Sequence, residues 1–361
     1  MLDLALSVDP AHAFAGAVWF DVMPRSIAVA HLPETVLLHA GPPFLGAPPP
    51  PVRNAAVQAL LFERLANNEF EALRLLSSGK VHLQPAQDHG VATPLAQVVS
   101  ASMWLMAVRH HAHVGFAAML EGAPPALRFG SNDRACTDRL RELGRRVTAH
   151  VLPVLHAAPV PLAEIIREAV AAGDDCHSRT SAANRALVHR LCASDAGTGL
   201  DADTAMTLAA IPAFVLSVLM AGAAAALRHH GSTVAALGGN GIDFGVRLRG
   251  SADWNREPAL PPVGELLPGR GGCTVLPAIG DSVLVDFCGL GGQVDDTSLR
   301  DALRDPSSGI LDPRRIAKGG ERAGAARPPV FNLAMLDADG TAGLIGRGIY
   351  RPPTALFRTG V

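Results

Sequence analysis

From Leu208 to Leu227 the chain carries one polar side chain, Ser217, in a run as long as the ~20 residues that cross a bilayer. Such a run must be buried, either in lipid or in a protein core, and the choice decides the class of the molecule. Much of it is alanine, which contributes little to insertion compared with leucine or phenylalanine. Pro212 and Gly222 also interrupt it. It therefore reads as a helix buried in a globular core, with no membrane partner. The composition can supply that core: 48% of the residues are hydrophobic and 18% charged. Aromatic residues are only 4%, so the core is to be built from Ala, Leu and Val. A length of 361 residues exceeds what one core usually serves, so two or three subdomains are expected.

A formal net charge of -2 provides no basic stripe for nucleic acid or an anionic membrane. The five cysteines, Cys136, Cys176, Cys192, Cys273 and Cys288, are odd in number and contain no CxxC pair, against a disulfide scaffold or zinc ribbon. The segment MLDLALSVDPAHAF lacks the basic and apolar regions of a secretory signal, so a cytoplasmic location is expected.

The hydrophobic period changes twice along the chain. Residues 16–41 contain three β-rich runs, AVWFDV, SIAVAH and TVLLHAG, and Pro48 to Pro51 should form a stiff extended break. Asn54 to Ser78 reads as two short helices stopped at Gly79. After a cap at Ser131 or Asn132, the residues Cys136, Leu140, Leu143, Val147 and Val151 share a helical face. Pro161 opens another helix with Leu162, Ile165, Ile166, Ala169 and Val170 on its apolar face and Gly173 as its stop. Further helices are expected over 181–192 and 204–228. Period two then returns in Ile242 to Arg249, and Asp281 to Phe287 behaves similarly. Sheet, helices and sheet again favour α+β: an N-terminal α/β subdomain (1–130), a helical subdomain (131–228) and a C-terminal α+β subdomain (229–361). Lys318 to Pro329, rich in Gly, Ala and Arg, is expected to be a mobile loop.

Three clusters could carry chemistry. In Gly173-Asp174-Asp175-Cys176-His177-Ser178-Arg179-Thr180, carboxylates can orient an imidazole and a guanidinium can hold an anion. The alternative is helix capping by Asp174 or Asp175, Ser178 and Thr180. The second cluster is Asn240, Asp243 and Arg247 beside Gly238-Gly239-Asn240-Gly241, where backbone could approach a ligand closely. The alternative there is a surface ion-pair face. The third is Gly280-Asp281-Ser282, then Asp286 within an apolar strand, then Gly289-Leu290-Gly291-Gly292. A tight turn is its plainer explanation. His39, ending a strand before a rigid loop, and His89, after Asp88, are single candidates. His110, His111 and His113 are adjacent, not i,i+4, and no acidic partner is near, so no metal is assigned to them. Dinucleotide-binding, P-loop, serine-elbow, HExxH and EF-hand patterns do not appear, and no cofactor is expected.

Seven stretches in order, LHAGPP (38–43), SGKVHLQPAQDHG (78–90), LRFGSN (127–132), AGDDCHSRT (172–180), GSTVAALGGNGIDFGVRLRG (231–250), GDSVLVDFCGLGG (280–292) and IGRGIYRPPTALF (345–357), resemble the AllG/YlbE-type family associated with oxamate carbamoyltransferase. The resemblance implies reaction of oxamate with carbamoyl phosphate to give oxalurate and phosphate, or the reverse, in an assembly with two further subunits. It places the protein in purine/allantoin catabolism. The sequence departs from the family at Gly239, where relatives tend to have Arg, and at Asp286, where they tend to have Glu. The helix after the GLGG turn looks shortened, and Pro85-Ala86-Gln87-Asp88-His89 replaces a Pro-Cys-His-Glu-His-like run.

Both substrates are anionic, so the expected site combines arginines with backbone N–H groups at glycine turns. Arg179 and Arg247, with Arg53 or Arg351, would supply charge. Asn240, Asp243, His39, Ser282 and Asp286 would help bind substrate. His177 or His89 would move the amide proton, oriented by Asp174 or Asp175. The stretches 173–179, 240–247 and 281–286 should then meet around one anion-sized cavity. Partner subunits of a transferase complex, or a homo-oligomer, are expected, and two other readings stay open: a non-catalytic subunit that binds and positions a partner enzyme, and a metal-assisted amidohydrolase using Asp174, Asp175, His177 and Asp286.

Overall fold

The computed structural model describes residues 9–193, 199–293 and 330–358. Over these residues the architecture is α+β, with helices and strands in four sheets. The first run becomes strand β1 (Ala17–Pro24), which buries Ala17 and Trp19 and then, across a bulge, Val22. The second expected strand, SIAVAH, is instead a turn of helix, α1 (Arg25–Ala28), and a loop. The reason is Arg25, fully buried, whose guanidinium donates to the carbonyls of Leu32 (3.0 Å) and Pro33 (3.1 Å) and so winds the segment around itself. Strand β2 (Val36–His39) follows.

The prolines do not form an extended break. Pro50 and Pro51 fill the first turn of α2 (Pro50–Phe62), where a missing N–H costs nothing. Helix α3 (Glu69–Ser77) is capped by Asn68, and Gly79 after it takes φ +68. Strand β3 (His82–Pro85) pairs in parallel with β2. Strands β4 (Val91–Ala92), β5 (Trp104–His110) and β6 (His113–Ala118) join β1 and a later edge strand, β7 (Val160–Pro161), in a five-stranded sheet of order β4-β6-β5-β1-β7. The helical stretch in the middle follows the predicted faces. Helix α4 (Arg134–Arg146), capped by Asp133, runs through a π-turn at Val147–Val151 into α5 (Leu152–Ala157), and Cys136, Leu140, Leu143, Val147 and Val151 are all buried. Strand β7 (Val160–Pro161) closes the sheet edge against β1. Helix α6 (Leu162–Ala171) buries its five predicted apolar residues and stops before Gly173 (φ +90), and α7 (Ser181–Cys192) follows.

The apolar run is split. Helices α8 (Ala202–Ala209) and α9 (Phe214–His229) meet at 78°, with Pro212 in the break. Among the described residues no single helix is long and apolar enough to cross a membrane. Helix α9 lies across β5 and β6 with most of its side chains fully buried. It lies so close that a Cβ on Gly115 would stand 2.2 Å from the Ala221 carbonyl.

The C-terminal part holds β8 (Val234–Asn240), β9 (Asp243–Leu248) and β10 (Trp254–Pro258) with β12 (Ile279–Gly280) in an antiparallel sheet. A second antiparallel sheet has order β11-β14-β13, from β11 (Val263–Leu266), β13 (Phe331–Leu336) and β14 (Leu344–Tyr350). The segment after Asp281 is not a strand but a short helix, α10 (Val283–Phe287). Five apolar-rich residues are too few for a period of two to be told from a helical one. The expected loop at Lys318 to Pro329, and the helix following the GLGG turn, lie outside the described residues.

Candidate functional site

The first cluster is built around one carboxylate. The chain turns back sharply after α6, with Cys176 in the left-handed region (φ +62) and its N–H bonded to the Arg179 carbonyl (3.0 Å). Asp175 fills this turn: its Oδ1 accepts from the backbone N–H of His177 (2.9 Å) and of Arg179 (2.8 Å). Its Oδ2 accepts from the Asn332 side chain on β13 (2.8 Å). Asp174 accepts from the N–H of Ala183 in the first turn of α7 (2.8 Å), so capping, the plainer reading, is part of the truth. Thr180 ties the loop to the break between α8 and α9 through the Pro212 carbonyl (2.8 Å).

The turn delivers His177 to Asp286 on α10. The imidazole Nδ1 meets Asp286 Oδ2, while Asp286 Oδ1 accepts from the N–H groups of Gly292 (2.7 Å) and Asn332 (3.0 Å). The glycines of the following turn are required here, since a Cβ on Gly291 would lie 2.3 Å from that carboxylate. Both partners are buried. Burial disfavours the charged imidazole, but the Asp286 carboxylate and its hydrogen bond, with Asp175 behind, outweigh that and hold His177 above its ordinary pKa. Burial raises both Asp175 and Asp174, against the hydrogen bonds they accept.

His177 lines a cavity of about 530 Å³ with Ser178, Arg179, Thr180, Ser282, Asn332, Arg347 and Arg128, closed on its apolar side by residues such as Leu95, Ile211 and Leu216. With Nδ1 committed to Asp286, the remaining ring nitrogen of His177 is Nε2. Arg347 on β14 donates to the Ser178 carbonyl (2.8 Å). Arg179 stands 3.7 Å from Asp174. Arg128 and Glu121 face each other at 3.7 Å, both buried, yet Arg128 Nη1 and Glu121 Oε2 lack hydrogen-bond partners. Asn332 Oδ1 also lacks a hydrogen-bond partner, and it and Arg128 line the cavity whereas Glu121 stands behind Arg128 and does not. Buried donors and acceptors without a hydrogen bond are costly, and water or a polar ligand in the cavity would satisfy those that line it.

The metal-assisted arrangement does not fit this geometry. Among the described residues, Asp174, Asp175, His177 and Asp286 are not a set whose ligand atoms converge on one point.

The structure gathers Asp174, Asp175, His177, Arg179, Ser282 and Asp286, and it places the second cluster elsewhere. Asn240 is a hairpin device: its Oδ1 accepts from the N–H of Ile242 and Asp243, and its Nδ2 donates to the Pro42 carbonyl. Asp243 and Arg247 do share the half-buried face of β9, but Arg247 pairs with Asp88 (3.2 Å) and not with the cavity. The neighbouring glycines admit backbone, not ligand, since a Cβ on Gly239 would lie 2.1 Å from the Ala278 carbonyl. His89 contacts Gln84 (2.8 Å) and the ring of His31. His39 is buried against Phe44 with Nδ1 on the Ala40 carbonyl, and burial pushes its pKa down to about 4. Arg53 and Arg351 are exposed and do not line the cavity.

Sequence reasoning overlooked Arg128, Asn332 and Arg347. Arg347 lies within the quoted stretch IGRGIYRPP, alternating with two glycines, a pattern that could have singled it out over Arg351. Asp281, named in the third cluster, does not line the cavity. It is the centre of a separate buried knot, accepting from Gly41 N–H (2.9 Å), Gln87 Nε2 (2.6 Å) and Thr93 N–H (2.9 Å).

The model of the family described as oxamate carbamoyltransferase subunit AllG matches residues 81–282. The Escherichia coli K12 protein named oxamate carbamoyltransferase subunit AllG is 30% identical over 294 residues, covering 76% of this chain and 69% of that protein. The uncharacterised protein YahG of the same organism is 28% identical over 374 residues, covering 90% and 78%. A crystal structure of a conserved protein of unknown function from Enterococcus faecalis V583 shares the fold, with a TM-score of 0.76 at 23% identity over 97% of this chain and 94% of that one. The chain belongs to the AllG family of oxamate carbamoyltransferase subunits.

Proposed function

We propose that this chain is the substrate-binding and proton-transferring subunit of an oxamate carbamoyltransferase-like enzyme, working with partner subunits. The observation that carries the reading is the pairing of His177 with Asp286 at the wall of a cavity that also holds orphaned polar atoms. Oxamate offers a carboxylate and an amide. Arg128 Nη1, which has no hydrogen-bond partner and stands 3.7 Å from Glu121, suits the carboxylate, and Asn332 Oδ1, an acceptor without a hydrogen bond, suits an amide N–H. Arg347 and Arg179 supply charge for the phosphate of carbamoyl phosphate.

In the synthetic direction the oxamate nitrogen attacks the carbamoyl carbon, the bond to the phosphate oxygen breaks, and neutral His177 takes the amide proton. In phosphorolysis of oxalurate the imidazolium returns a proton to the departing nitrogen as phosphate attacks. Asp286 holds the ring and stabilises its charged form. Because His177 is held above its usual pKa, phosphorolysis should fall, and synthesis rise, as pH climbs through that raised value.

The test is the reconstituted complex assayed in both directions. His177→Gln should lower kcat by about 10²–10⁴-fold and remove that pH limb. Arg347→Ala should raise KM for the anionic substrate, whereas Arg247→Ala should leave both constants near wild type. Full activity in His177→Gln, or loss in Arg247→Ala alone, would overturn the assignment.

A further inference from the structure

Six histidines gather at the far end of α9, and the site above uses none of them. His229 ends α9, His230 follows it, and His110 ends β5 beneath them. The ring centroids are 4.2 Å apart for His110 and His229, 4.8 Å for His229 and His230, and 5.3 Å for His110 and His230. One ligating nitrogen from each of the three lies within 4.8 Å of the others. His111 stacks on His229 at 4.4 Å, and His12 and His113 stand around the rim.

His110 is the informative member. It is fully buried, yet neither ring nitrogen has a hydrogen-bond partner of normal geometry, although the Ala15 backbone lies near enough to favour a ring N–H slightly. A buried imidazole with no partner is costly unless something else satisfies it. His230 Nε2 is within hydrogen-bond distance of the Ala13 carbonyl (3.1 Å), which leaves Nδ1 as its acceptor nitrogen. A ring N–H held by a backbone carbonyl is how proteins orient a metal-ligating histidine.

We propose that His110, His229 and His230 bind a divalent ion of the zinc class, clipping the end of α9 to the tip of the β5–β6 hairpin. Three imidazoles with no carboxylate among them suit zinc, cobalt, nickel or copper and not magnesium or calcium. Zinc–nitrogen bonds of about 2.0–2.1 Å in a tetrahedron bring the nitrogens to roughly 3.4 Å, so nitrogens now within 4.8 Å of one another close by up to about 1.4 Å on binding. His229 and His230 are only half-buried and can make that adjustment. Water or His111 completes the shell. The site is independent of the His177 cavity. Leu216 lines that cavity and His229 is 13 residues further along the same helix, roughly 20 Å at 1.5 Å per residue.

The full chain, purified without a histidine tag and stripped with chelator, is dialysed against zinc and analysed for metal, titrated with cobalt by visible absorption, and melted. One zinc per chain with micromolar or tighter affinity, cobalt bands of an imidazole site, and a zinc-dependent rise in Tm are expected. His229→Asn and His230→Asn, at half-exposed positions, should keep the circular dichroism of the wild type. Each should weaken zinc by about tenfold or more and reduce the Tm rise. No stoichiometric zinc in the wild type, or undiminished binding when His229→Asn and His230→Asn are combined, overturns the proposal.

Discussion

At the residue scale, buried acids divide by what surrounds them, and Asp281 makes the point sharply. Burial pushes it from 3.8 up to about 7, although Thr93, Gly41 and Gln87 all donate to it. A carboxyl that holds its proton more tightly when folded adds stability below its unfolded pKa, and this is lost as pH rises through the folded value. Its contribution is therefore greatest near pH 4 and is gone above about 7. Asp281→Asn should abolish that slope. It should also destabilise by about 1–3 kcal/mol at pH 8, because its amide NH2 would face donors where the carboxylate accepts. Urea unfolding at pH 5 and pH 8 checks both. An unchanged slope in the variant would mean that Asp281 stays ionised throughout and that its donors outweigh its burial.

At the element scale the sequence is most legible where a periodic face is long. The faces of α4 and α6 could be written down residue by residue, and Gly173 marks the real stop, because burying one stripe of a ten-residue helix leaves a repeated trace. It is least legible where tertiary contacts decide. Arg25 turns a β-rich run into α1 by satisfying loop carbonyls, and α10 forms over five residues that alternate like a strand. Half of the site follows the same logic. The 173–180 cluster is local and was readable, whereas Arg347 and Asn332 arrive from strands more than 150 residues away, with no local mark except flanking glycines in the first case. Glycine spacing carries information of its own where backbones touch. Gly115 lets β6 approach α9, and Gly115→Ala would drive a methyl to 2.2 Å from the Ala221 carbonyl. A cost of about 1–3 kcal/mol is expected. Gly46→Ala, whose new methyl meets nothing within 4 Å, should change stability by less than about 0.5 kcal/mol. Equal Tm values for the two variants would mean that α9 does not bear on β6 as closely as described.

At the scale of the whole molecule, α9 joins regions that the sequence order keeps apart. Its first turns border the cavity that holds His177, its body covers β5 and β6, and its last residue reaches the hairpin tip. The N-terminal sheet also takes its edge strand β7 from beyond residue 150. Residues 1–130 therefore contain most of a sheet but neither the helix that covers it nor the strand that closes its edge. A sheet without its cover exposes apolar surface that water penalises at roughly 25 cal/mol per Å², and an unpaired edge invites association. Expressed alone, this segment should give no cooperative melting transition and should bind a hydrophobic dye. Adding residues 131–361 as a separate chain should restore a single transition, because α9 and β7 return with it. A well-dispersed amide spectrum and a sharp transition from 1–130 alone would mean that the sheet is stable without α9. The cavity and the N-terminal core would then not depend on one helix, and ligand binding at His177 would have no reason to raise the Tm of the whole chain.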